Sequence, residues 1–163
     1  MAQDVYACDV PYQNDIGIFN AFPRDTWLLL SLGSLDVWST REPDKQVVRE
    51  GGTIVIVNHA SEGQGEHGLM TKGMRHYVFR DEHGSFKEIL KNRNLVFYSP
   101  NITRPMLRDY YARKVFLFDD WTPLVQKLKE LHPGRPTVSV FPCGASQMDR
   151  AVLGSEDALL QKG

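Results

Sequence analysis

The chain has 163 residues, with 19 basic against 20 acidic side chains for a net charge of -1, and is 42% hydrophobic and 24% charged. That is the composition of one folded globular domain and excludes disordered, collagen-like and coiled-coil chains. Neither sign of charge gathers into a long run, so no nucleic-acid partner is expected. The longest apolar runs, TIVIV (53–57) and WLLL (27–30), fall far short of the roughly 18 residues of a membrane span, and no basic-then-apolar leader opens the chain, so a cytoplasmic location is expected.

In chain order, the first predicted strand is DIGIFN (15–20). It runs into NAFPRD (20–25), in which Pro23 fixes a turn and Asp25 is placed to cap the next helix through its side-chain oxygen. That helix, WLLLSLGSLDVW (27–38), has Asp36 as its single charge and apolar residues on almost every face. A surface helix normally keeps a solvated side. The pattern therefore predicts a second contact, either an interior position or dimer contact, or a missing partner domain.

TIVIVN (53–58) is apolar at nearly every position, as a parallel strand covered on both faces requires. Further strands follow at LVFYS (95–99), VFLF (115–118) and TVSVF (137–141). Between them, SFKE opens a short helix with Ser85 as cap and Glu88 reaching back, through Lys91. Thr103 caps a helix carrying Met106, Leu107, Tyr110 and Tyr111, and Thr122 caps another with Pro123 as its first residue and Leu124, Val125, Leu128 and Leu131 on one face. The alternation predicts an α/β fold, a three-layer, Rossmann-like and mostly parallel five-stranded sheet with helices on both faces. One domain spans residues 1–163, its core at about 15–141, with 142–163 as tail or return segment.

VNHASEGQGEHG (57–68) sets Gly63, Gly65 and Gly68 at the G-x-G-x-x-G spacing of a dinucleotide loop, with Asp81, after a candidate strand HYVF, as the ribose acid. Against this, four or five residues separate the strand from the first glycine, and Glu62 and Glu66 place negative charge where a diphosphate would lie. As turn-formers at the carboxyl end of a parallel strand, the glycines share a ligand-binding edge with NAFPRD. His59, Glu62 and His67 lack the spacing of a metal site, and Ser61 lacks a nucleophile elbow. Cys8 and Cys143 form no C-x-x-C and read as free thiols, and Cys143 in FPCGAS follows the last strand, where it can face the same cleft without a histidine partner. His76, His83 and His132 read as surface residues.

Taken together, IFNAFPRDTWLLLSL, VVREGGTIVIVNHASEGQGEHG and TVSVFPCG, in that order over roughly residues 15–141, resemble the C-terminal domain of the nickel-pincer lactate racemase family. The resemblance implies racemisation or epimerisation of a 2-hydroxy acid or related hydroxy compound, with this chain as one wall of the cleft. It also implies that the nickel-pincer nucleotide, its lysine and the catalytic histidines sit on an N-terminal catalytic domain with no counterpart here. This chain alone would then hold no cofactor, no metal and no catalytic residue. By the same resemblance the substrate-binding positions are Asn20, Phe22, Arg24, Asp25, Leu29, Leu30, Gly33, Glu62, Gly63, Gln64 and Gly65. Leu29, Leu30 and Gly33 stand where lactate racemases have a tyrosine, a glutamine and a lysine, so the substrate is expected to be larger or less acidic than lactate. Two alternatives stay open: a nucleotide-binding protein using Gly63, Gly65 and Gly68, and an interaction domain that dimerises through the tryptophan helix.

Overall fold

The computed structural model describes residues 6–35, 37–38, 42–65, 72–82 and 84–151; Asp36, Glu66, His67, Gly68, His83 and the chain beyond Ala151 lie outside this description. A short pairing joins β1 (Ala7–Cys8) to β7 (Met148–Asp149), returning the segment after the last long strand to the start of the chain. The main sheet contains β2 (Asn14–Asn20), β3 (Val48–Val57), β4 (Asn94–Tyr98), β5 (Phe116–Phe118) and β6 (Val138–Phe141). Its spatial order is β5-β4-β3-β2-β6, and every neighbouring pair is parallel. This is the α/β architecture predicted above. Residues Thr53, Ile54, Val55 and Ile56 of β3 are all buried, which explains their unbroken apolar run.

From β2 the chain steps outward to β3, β4 and β5, and the connecting elements all cover one face. These are a 3₁₀ helix (Leu28–Leu35), α1 (Gly84–Leu90) and α2 (Arg104–Tyr110). After β5 the direction reverses to reach β6, so a crossover of the same hand must pass over the opposite face. There α3 (Trp121–Leu131) buries Leu124 and Leu128 against Ile16, Val55 and Val96.

The local signals need four corrections. The cap of α3 is Asp120, whose Oδ1 accepts from Thr122 N at 2.6 Å, and Thr122 lies inside the first turn. Ser85 likewise falls inside α1, whereas Thr103 is the N-cap residue of α2 without a side-chain bond. Residues 77–79 form no strand, because β3 and β4 pair directly and leave no vacancy between them. His132 is buried, its Nε2 2.7 Å from Thr53 Oγ1 at the end of α3; His76 is exposed.

The apolar helix is also explained within the chain. Leu28, Leu29, Ser31, Leu32, Ser34 and Leu35 are buried in the main core, as is Trp38. Ser31 Oγ lies 3.2 Å from Tyr111 Oη, which ties the helix to its neighbour on the same face of the sheet. Most of its apolarity reflects an interior position, while Leu30 and Gly33 are half-buried.

Candidate functional site

In an open parallel sheet, ligands bind outside the carboxyl ends of the strands, at the point where the strand order reverses. Here that point lies between β2 and β6. The loops that follow these two strands are held together by Gly144 N, which donates to Asn20 O at 3.0 Å. A Cβ on Gly144 would lie 2.2 Å from Ser34 O, so only glycine lets the β6 loop pack this closely on the 3₁₀ helix.

A crevice of about 530 Å³ opens beside this junction. Tyr6, Phe22 and Pro23 line it together with Pro142, Cys143, Ser146 and Gln147. Phe22 is 54% exposed and Tyr6 48%, an unusual display of aromatic surface. The Cys143 turn is closed on itself: Ser146 N and Gln147 N donate to Cys143 O, and Gln147 Oε1 accepts from Cys143 N. Among the described residues, no Lys, Arg, His, Asp or Glu lines the crevice.

The two loops expected to share the edge do meet. Ala60 N donates to Asp25 O at 2.7 Å, Glu62 N to Thr26 O at 3.0 Å, and Leu28 N to Gly63 O at 3.0 Å. Trp27 Nε1 donates to Glu62 Oε2, and Asn58 Nδ2 to Trp27 O at 3.1 Å. The first helical N–H thus goes to Gly63 O, and Asp25 contributes its carbonyl to the junction with the glycine loop. Gly63 and Gly65 have φ of +65° and +74°, and a Cβ on Gly65 would lie 2.5 Å from Trp27 Cγ. They are turn and packing glycines. The amides of Ala60, Glu62 and Gly63 are consumed by protein carbonyls, so these three N–H groups are not free to cradle a pyrophosphate. Asp81 is equally engaged: its carboxylate is buried and accepts from Ala112 N and Arg113 N.

Of the expected site residues, Phe22 lines the crevice, and Asn20 and Asp25 shape the adjoining turn through main-chain bonds. Arg24 is exposed on that turn, and Glu62, Gly63, Gln64 and Gly65 lie on the second loop. Leu29 is buried in the core, while Leu30 and Gly33 are half-buried. Tyr6, Pro142, Ser146 and Gln147 were not expected; the only hint was that FPCG follows the last strand. Among the described residues, no three His, Cys, Asp or Glu side chains cluster to hold a metal ion, and no helix is long and apolar enough to cross a membrane.

Neither a protein-family model nor a curated protein matches the sequence. A solved structure does: the lactate racemase apoprotein from Thermoanaerobacterium thermosaccharolyticum, at a TM-score of 0.61 and 16% identity. The fold is shared with part of a lactate racemase. The superposition covers 91% of this chain and 38% of the racemase, so this chain spans well under half the length of the protein it resembles.

Proposed function

We propose that the chain is a lactate racemase-like domain forming one wall of a cleft in which a 2-hydroxy acid, or a related hydroxy compound, is racemised or epimerised. The observation that carries this reading is an aromatic-lined crevice at the switch point of a fold shared with lactate racemase. A nickel-pincer nucleotide would supply hydride chemistry at a carbinol carbon. The described residues do not fit it: those that line the crevice include neither a lysine to tether it nor a histidine to bind metal or act as base. The cofactor and catalytic bases would therefore belong to an N-terminal domain, the partner of this one.

What this chain contributes is shape and dryness. Phe22, Pro23, Pro142 and Tyr6 exclude water from one side of the substrate, while the Ser146 hydroxyl and Gln147 carboxamide offer neutral polar contacts. The absence of a cation among the described residues of this wall favours a hydroxy compound whose charge, if any, is met by the other domain.

The test is a chemical-shift titration of the isotope-labelled chain with 2-hydroxy acids and their neutral esters, run beside a chiral assay. Shifts on Phe22, Cys143 and Gln147 without interconversion are expected. Turnover by this chain alone, or shifts confined to other surfaces, would overturn the reading.

A further inference from the structure

A second cavity, of about 280 Å³, lies away from the crevice, between α2 and the approach to β5. Arg104, Arg108, Arg113 and Lys114 line it over a floor of Leu107 and Val115, with no carboxylate among its described lining residues. In a chain of net charge -1 this is a local excess of four cations. The contrast with the cavity near Arg49 and Lys91 is direct, since Glu50 and Glu88 stand among the cations there.

Two acids close by in the chain already have partners. Asp109 pairs with Lys72 at 2.5 Å, and Asp81 accepts two backbone N–H groups. Arg113 is held by the backbone carbonyls of Leu90 and Arg93 and feels the Asp81 charge, and its Nε has no acceptor among the described residues. Lys114 Nζ lies over the Phe116 ring, 5.0 Å from its centre. Arg104 and Arg108, one turn apart on α2, are exposed and form no ion pair with any described residue. Like charges gathered without an ion pair, as at Arg104 and Arg108, repel one another and attract a counter-ion.

We propose that this cavity binds a small organic phosphate, its phosphoryl oxygens met by Arg104, Arg108 and Lys114 and its apolar body resting on Leu107 and Val115. A monoanionic carboxylate would leave most of the cations unbalanced. A phosphomonoester dianion matches them better, and guanidinium forks suit its oxygens. The site is separate from the crevice, so the proposal stands whether or not the racemase-like reading holds.

The experiment is calorimetry at low salt with phenyl phosphate, benzoate and inorganic phosphate as probes. Phenyl phosphate is expected to bind more tightly than either of the others. The double variant Arg104→Gln/Arg108→Gln should weaken it by roughly tenfold or more, with Arg104→Lys/Arg108→Lys recovering part of the loss. Amide shifts on Leu107, Arg108, Lys114 and Val115 in the unaltered chain give an independent readout if the variants fold poorly. Phenyl phosphate binding no better than benzoate, affinity untouched by the double variant, or shifts elsewhere on the surface would each overturn the proposal.

Discussion

The two faces of the sheet are built differently. On one, the 3₁₀ helix, α1 and α2 cover a continuous core in which Phe19 stacks on Phe141 at 4.9 Å and lies 6.3 Å from Trp38. On the other, among the described residues, α3 packs on β2, β3 and β4 through Ile16, Val55 and Val96, and Val138 and Val140 of β6 are 49% and 61% exposed. The cause is topological: three crossovers load one face, and a single return crossover loads the other. The lesson is that β6, which carries half of the candidate site, is held on one side by apolar packing and at its foot by polar bonds. Asp15 supplies these, accepting from Thr137 N at 2.7 Å and Thr137 Oγ1 at 2.9 Å.

Truncations on the two faces test this asymmetry most strongly. Phe19→Ala removes a fully buried ring stacked on Phe141, and should destabilise by about 3–5 kcal/mol. Leu124→Ala, equally buried but beside the half-exposed Ile18, Tyr98 and Phe116, should fall near the lower end of its class, about 2–3 kcal/mol. Urea denaturation of both variants measures the difference, and equal losses would remove the asymmetry.

Gly144→Ala probes the contact that joins the heavily covered face to the crevice. The new methyl meets the Ser34 carbonyl oxygen, a backbone atom that cannot swing aside. We expect a loss of about 1–3 kcal/mol together with amide shifts spreading from Gly144 to Asn20 and Cys143. A variant with unchanged stability and spectrum would show that the β6 loop is not seated as described.

Legibility in the sequence followed the same division. The strands were readable because burial on both faces makes their apolar runs continuous, as in Thr53 to Ile56. Strand order was not, since nothing local records that β6 returns to the far side of β2; hence the crevice was invisible while Phe22 on one of its walls was not. Tyr6 comes from the opposite end of the chain through the β1–β7 pairing, which two residues per strand cannot announce. The apolar pattern of 27–38 implied cover beyond one face, and the chain itself buries most of it while Leu30 and Gly33 stay half-buried; pattern alone does not distinguish cover by the same domain from cover by another. His132 was misread because burial beside Thr53 depends on where α3 ends over the sheet.

The polar foot of β6 makes a graded pH prediction. Burial holds His132 below its ordinary 6.5, so the unfolded chain takes up that proton first and stability declines as pH falls below about 6.5. Bonds from Thr137 N, from Arg49 and from the Thr137 hydroxyl hold Asp15 down to about 2. Its contribution is complete above about pH 4, the range of a free carboxyl, and is lost as pH drops toward 2. Asp15→Asn should abolish the acid limb and deepen the His132 limb, because the Asp15 charge favours the protonated imidazole. Denaturation midpoints across this range check both signs.

The smallest effect is expected where the lightly covered face is bare. Val140 points away from the Phe141 core and is 61% exposed, so Val140→Thr exchanges one methyl for a hydroxyl that water can solvate and keeps the β-branched shape that suits a strand. Stability should change by less than about 0.5 kcal/mol, with a melting temperature independent of protein concentration. A larger loss, or a melting temperature that rises with concentration, would mean that another surface covers β6 in solution, and the asymmetry between the faces would then be a property of the isolated chain rather than of the working assembly.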